Sequence, residues 1–197
     1  MAYTVITLGA LCVSVAFLMV WSIAKQLLNR RIRTVPIEQR PVEELPAHLK
    51  KAFEGSIRQL NDLGFREQSC QLSQSIFGSE TAPTWVLQCT NDQNHVMASV
   101  HPSNRPDLQS HHVTFTSRDR EGAQFLSFSW QSHLYVGGTP GFTFHDTQTT
   151  DVKEGFCLHL QNRSSIVPEP VIPDQATRLS DTQQFIDRYL KFLLADG

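Results

Sequence analysis

The run from Thr4 to Ile23 (TVITLGALCVSVAFLMVWSI) carries no charged side chain over 20 residues, and no other stretch constrains this chain as strongly. Coiled as a helix, such a run is about 30 Å long, the thickness of a bilayer's hydrocarbon core. Tyr3 and Trp21 stand near its ends, where amphipathic rings settle at headgroup level. The sequence therefore predicts a transmembrane anchor over residues 1–24, with residues 4–23 in the lipid bilayer. Lys25, Arg30, Arg31 and Arg33 follow at once, within the short flank over which basic residues set orientation. Together these features predict a single-pass membrane protein with its N-terminus outside and its C-terminal domain cytoplasmic. Tyr3, Trp21, Lys25, Arg30, Arg31 and Arg33 are the expected membrane-interface positions.

Two rival readings of the run fit less well. A cleavable signal peptide has a basic n-region and a shorter apolar core; here Ser22-Ile23-Ala24 offers a passable cut, but no Lys or Arg precedes the run. A lipoprotein signal needs a small residue where Leu11 precedes Cys12. Cys12 reads instead as a lipid-compatible side chain.

Thr34 to Pro41 (TVPIEQRP) has two prolines and no apolar period, so residues 25–42 read as a basic juxtamembrane segment and partly extended linker. Residues 43–197 are then one soluble domain of ordinary size. Beyond Arg33 lie 13 basic and 19 acidic residues, a formal charge of −6. An acidic domain lacks the clustered Lys and Arg that nucleic acid requires, so no nucleic-acid partner is expected. Cys12, Cys70, Cys89 and Cys157 form no CxxC pair and leave an odd number outside the anchor, which suits a reducing compartment.

Leu49, Phe53, Ile57, Leu60 and Leu63 recur at helical spacing, with Pro46 placed for the first turn and Gly64 for the left-handed position after the last. The period then changes to two. Cys70, Leu72 and Ile76; Trp85, Leu87 and Cys89; Val96, Ala98 and Val100; Val113 and Phe115; and Phe125 to Trp130 predict five successive strands joined by short turns. Phe142 with Phe144, and Phe156 with Leu158 and Leu160, alternate like a further hairpin. Prolines 168, 170 and 173 make an extended strap of residues 163–177. Ser180 with Gln183 offers a capping box for a second helix carrying Phe185, Ile186, Tyr189, Leu190 and Leu193. The expected fold is α+β: a two-layer domain in which a mostly antiparallel sheet of six to seven strands is covered on one side by two helices.

No catalytic constellation is legible. The glycine-rich segment 137–141 lacks the Lys-Ser/Thr that completes a phosphate loop, and Ser127, Ser129 and Ser132 have no elbow motif. His101 ends one predicted strand while His111 and His112 begin its neighbour, making these three the candidate metal ligands. Adjacent residues on a strand face opposite ways, however, and no metal or other cofactor is expected. Cys157 and His159 would share one face of a strand as a possible thiol and imidazole pair. Trp85, Phe115, Phe125, Phe128, Trp130, Phe142 and Phe144 are candidates to line an apolar cavity. Asn162-Arg163-Ser164 matches a glycosylation acceptor that has no meaning in the cytoplasm, and Pro168-Glu169-Pro170 is a possible docking strand.

The first expectation is a non-enzymatic protein-interaction module held at the membrane, its protein partner unspecified. The alternatives are a domain binding a lipid or small apolar ligand, and then a metal-dependent or Cys/His-dependent enzyme.

Overall fold

Among the described residues, seven strands lie in chain order in a single sheet. They are β1 (Glu38–Arg40), β2 (Arg66–Ser73), β3 (Thr84–Asn91), β4 (Val96–Pro102), β5 (His111–Arg118), β6 (Gln124–Phe128) and β7 (Phe142–Asp146). Helix α1 (Ala47–Asp62) precedes β2 and helix α2 (Val152–Arg163) follows β7. A third helical segment, α3, runs over residues 176–184. This computed structural model describes residues 37–73, 84–102, 111–128, 141–174, 176–184 and 187. The predicted anchor and all six interface positions lie outside them, as do residues 137–140, Ser129, Trp130, Ser132, Phe185, Ile186, Tyr189, Leu190 and Leu193. Among the described residues no helix is long and apolar enough to cross a membrane.

The period-two stretches become strands because alternate side chains share one face. Cys70 faces Leu87, Leu87 faces Val100 and Val100 faces Val113 across four strands. All four are at most 1 % exposed, so this register runs one apolar row through the core. A slip by one residue would turn every member of the row to the opposite face.

Helix α1 ends as its sequence predicts. Gly64 adopts φ +83, its N–H donates to Asn61 O at 2.9 Å, and the Phe65 N–H donates to Leu60 O at 2.9 Å. That pair of bonds satisfies carbonyls the helix leaves open and folds Phe65 back into the core. Phe65 then packs against Phe115 and Phe156 at ring separations of 5.9 and 5.1 Å. Asn91 adds a tie: its Nδ2 donates to Leu63 O at 2.8 Å while its Oδ1 accepts from Asn94 N at 2.9 Å. The end of α1 and the turn from β3 to β4 thus share one buried side chain.

Four expectations change. Residues 38–40, read as linker, pair antiparallel with β2 as an edge strand, and Ile37 beside them is buried. Strand β7 joins the sheet parallel to β6. A parallel return needs a crossover of about a dozen residues, and residues 129–141 supply that length.

Residues 156–160 are helix, not strand. Their alternation masks the true stripe, in which Val152, Gly155, Phe156 and His159 are buried at helical spacing. The start signal was present in the sequence: Asp151 Oδ1 accepts the Glu154 N–H at 2.7 Å, a capping interaction.

The last change concerns the layers. Phe53 of α1 and Phe156 of α2 contact His111 and Phe115, alternate residues of β5, so these two helices share one face of the sheet. Segment α3 lies on the opposite face, where Asp181 pairs with Arg118 and Gln71 donates to Thr182 at 3.4 Å. It is capped by Asp174, whose Oδ1 accepts from Thr177 N at 2.7 Å, and Ser180 sits inside it. The class remains α+β with a mostly antiparallel sheet, but helices stand on both faces.

Candidate functional site

Three groupings of chemically capable side chains stand out, and the most buried centres on His159. Its Nε2 lies 2.8 Å from Ser117 Oγ and its Nδ1 lies 2.9 Å from Ser127 Oγ. Arg163, one turn further along α2, donates to the same Ser117 Oγ at 3.1 Å and to the backbone carbonyl of Asn94. One assignment gives each of these three contacts a donor and an acceptor. Arg163 donates to Ser117, Ser117 O–H donates to Nε2, and Nδ1–H donates to Ser127. Burial pushes the His159 pKa down to about 3, with Arg163 and then His145 adding to the shift, so the imidazole is neutral.

A serine beside a neutral imidazole is the pairing of a nucleophile and its base. Here, however, Ser117, Ser127 and His159 are each at most 1 % exposed, so a substrate has no approach to either hydroxyl. Phe115 and Phe125 flank the imidazole at ring separations of 5.9 and 5.1 Å. The arrangement acts as a polar pin: one helix side chain bonded to two strands through an apolar layer. Cys157, expected as the partner of His159, is exposed on the other side of α2, because residues two apart on a helix point in nearly opposite directions.

The three candidate metal ligands are divided. His101 and His112 are cross-strand partners and their rings stack at 4.8 Å with an interplanar angle of 5°. Burial lowers their pKa values to about 4 and about 3, with charge repulsion from His101 and His111 adding for His112. Imidazole lone pairs lie in the ring plane, so stacked rings direct them side by side rather than at one point. His111 turns to the opposite face, where its Nε2 lies 2.7 Å from Ser56 Oγ of α1 and its ring meets the edge of Phe53. Burial lowers the pKa of His111 as well. The sequence rule that neighbours on a strand diverge thus prevails over their proximity, and among the described residues no three His, Cys, Asp or Glu side chains gather as metal ligands.

The aromatic residues expected around one cavity are also divided. Phe115 and Phe125 belong to the α1–α2 face. Phe128, Phe144 and Phe142 form a partly exposed row near the outer strand, with successive ring separations of 5.7 and 6.4 Å. They sit on the other face, since Phe142 and Phe144 are register partners of Gln124 and Leu126.

That other face has its own character. Gln88 Nε2 donates to Ser99 Oγ at 3.0 Å, Gln39 Nε2 donates to Ser69 Oγ at 2.7 Å, and Thr90, Thr114 and Thr116 are buried nearby. A sheet covered on one side only, as expected from the sequence, would leave these alternate polar positions facing solvent. A cleft of about 330 Å³ opens at its edge between α3 and strands β6 and β7, with Arg118, Gln124, Phe142, Asp181 and Gln184 in its walls. Asn162 of the acceptor-like triplet lies in the last turn of α2, its Nδ2 donating to Leu158 O at 2.8 Å.

Compared with known proteins, the chain matches no protein-family model, no curated protein sequence and no solved structure.

Proposed function

We propose that this chain is a single-pass, membrane-tethered protein whose cytoplasmic domain is a non-enzymatic protein-interaction module. The tether rests on the charge-free run of residues 4–23 and its basic flank. The interaction reading rests on one observation about the domain: among the described residues, the imidazoles of His159 and His111 are bonded to serine hydroxyls of the fold. His159 bridges two buried serines and His111 is tied to Ser56. At the same time a row of three phenylalanines stays partly exposed beside strand β7. Aromatic side chains of this kind anchor protein interfaces, because they bury large area at low conformational cost. The division of the aromatic residues between two faces favours this reading over a lipid cavity.

Photo-crosslinking in cells tests it. A crosslinking residue at Asp146, exposed on β7 and on the same face as Phe142 and Phe144, is expected to give a discrete protein adduct, and one at Lys50 on the solvent side of α1 is not. Failure to form any adduct at Asp146, together with turnover of a substrate abolished by a single substitution, would overturn the proposal.

A further inference from the structure

The cleft beside α3 has a floor set by strand register. Arg118 is the register partner of Gln124 across β5 and β6, and Gln124 that of Phe142 across β6 and β7. Partners on neighbouring strands share a face, so these three side chains form one row on the face where α3 lies. The turn from β5 to β6, with Glu121 and Gly122, makes one wall, and Asp181 and Gln184 of α3 make the other. Gly122 adopts φ +94, and a Cβ there would stand 3.5 Å from Arg118 Nη2, so the turn passes close over the guanidinium. The volume of about 330 Å³ is at the small end of the range for ligand pockets, enough for one long side chain.

Gln124 is the unusual member of the row. It is only 8 % exposed and lies in the cleft, yet among the described residues its side-chain amide makes no hydrogen bond. Only its backbone is used, the N–H donating to Gly141 O at 2.9 Å. An amide so enclosed requires a partner, and the cleft is where one enters. The charges nearby select the chemistry of that partner. Arg118 Nε lies 2.7 Å from Asp181 Oδ2, so these two largely neutralise each other. Glu121 is exposed and stands in no ion pair among the described residues. The described walls therefore offer one uncompensated negative charge, an amide carbonyl and an aromatic ring. The formal charge of −6 beyond Arg33 gives the longer-range field the same sign.

We propose that this cleft is an anchor pocket for a guanidinium, carried by an arginine side chain of the protein partner. The proposal deepens the interaction reading above and rests on it for the source of that side chain. A guanidinium is a flat cation whose N–H groups donate in a fork. The Glu121 carboxylate accepts part of that fork, Gln124 Oε1 accepts another N–H, and the plane of the cation lies against the Phe142 ring. A lysine ammonium matches only the charge, and a carboxylate or phosphate is repelled by Glu121. Phe142 also ends the row begun by Phe128 and Phe144, so pocket and row are one continuous surface. An arginine set beside aromatic residues is the kind of contact that concentrates binding energy at protein interfaces.

N-acetylarginine amide tests the pocket on the full chain in nanodiscs of neutral phosphatidylcholine, which keeps the cation off the lipid. Titration followed by nuclear magnetic resonance of the probe should give a Kd on the order of 1 mM, as expected for a fragment of this size. The uncharged analogue N-acetylcitrulline amide should bind about tenfold more weakly. Glu121→Lys, at an exposed turn that leaves the fold intact, should weaken binding of the arginine amide about tenfold, and Gln124→Leu should do the same by removing the amide acceptor. No saturable binding of the arginine amide overturns the pocket. So does the same Kd in wild type and Glu121→Lys, which marks attraction to an acidic surface only. Crosslinking at Asp146 in cells separates this proposal from the reading it rests on. The adduct yield should fall about tenfold when Glu121→Lys is added. An unchanged yield overturns the partner arginine and leaves the interaction module standing. Absence of any adduct without that substitution counts against the interaction module, and the probe titration still decides the pocket.

Discussion

Replacing His159 with Phe isolates the polar pin from the packing around it. The ring keeps its place between Phe115 and Phe125, and both imidazole hydrogen bonds vanish. Ser127 then loses its imidazole partner while fully buried, whereas Ser117 keeps Arg163. A buried hydroxyl without a partner costs about 1–3 kcal/mol, so the expected loss near neutral pH is about 2–3 kcal/mol. Acid changes the comparison. The folded state holds His159 neutral, with its pKa pushed down to about 3 by burial, while an imidazole in the unfolded chain titrates at about 6.5. Between those values the unfolded state binds the extra proton. The His159 contribution is therefore complete above about pH 6.5 and falls by ~1.4 kcal/mol for each unit below it. Wild type loses about 2 kcal/mol from this group by pH 5, and the Phe variant loses none of it. His101 and His112 titrate in both proteins and cancel in the difference. Urea unfolding of the detergent-solubilised chain, followed by far-ultraviolet circular dichroism, measures that difference. The two stabilities should converge near about pH 5. A constant gap across the range would refute the account of His159 as a buried neutral base, and equal stability near neutrality would refute the pin.

Four further outcomes follow from local geometry. Gly64→Ala should cost about 1–2 kcal/mol, because a Cβ is strained in the left-handed region even with room around it. Asp151→Ala should cost about 1 kcal/mol by removing the cap of α2, read from the same urea curves. Of the described cysteines, Cys157 should react at once with a thiol reagent and Cys70 and Cys89 only after unfolding. Burial, with nearby Glu67, pushes those two thiols up to about 11 and about 12. An impermeant reagent on intact and permeabilised cells then reads topology at Cys157, and labelling in intact cells would overturn the cytoplasmic orientation. Finally, His111→Ala should lower the melting temperature through loss of the Ser56 bond and the Phe53 contact, whereas removal of divalent metal by a chelator should leave it unchanged.

Much of the architecture was legible because it depends on short-range rules. A four-four-three-three apolar spacing ended by Gly64 can hardly be anything but the helix it is, and alternation with intervening turns marks β2 to β6. The divergence of His111 from His112 followed from strand geometry alone. Helix α2 was misread because Gly155 and His159 occupy its buried stripe, and a period search counts neither as apolar. His159 is acceptable there only because Ser117 and Ser127, 42 and 32 residues away in the chain, supply its bonds. Side-chain chemistry at such separations has no local signature.

The sequence by itself determined the anchor expectation, the helix stops and which residues of each strand share a face, since these follow from spacing and side-chain type within one element. Tertiary structure decided the rest: that β7 returns parallel to β6, that α3 crosses to the face opposite α1 and α2, and that the Gln, Ser and Thr positions of that face are covered rather than solvated. The physical reason is that polar alternation specifies which side chains point away from the core. What then covers them depends on where a later segment lands, which in this chain turns on contacts such as Arg118 with Asp181 across 63 positions of sequence.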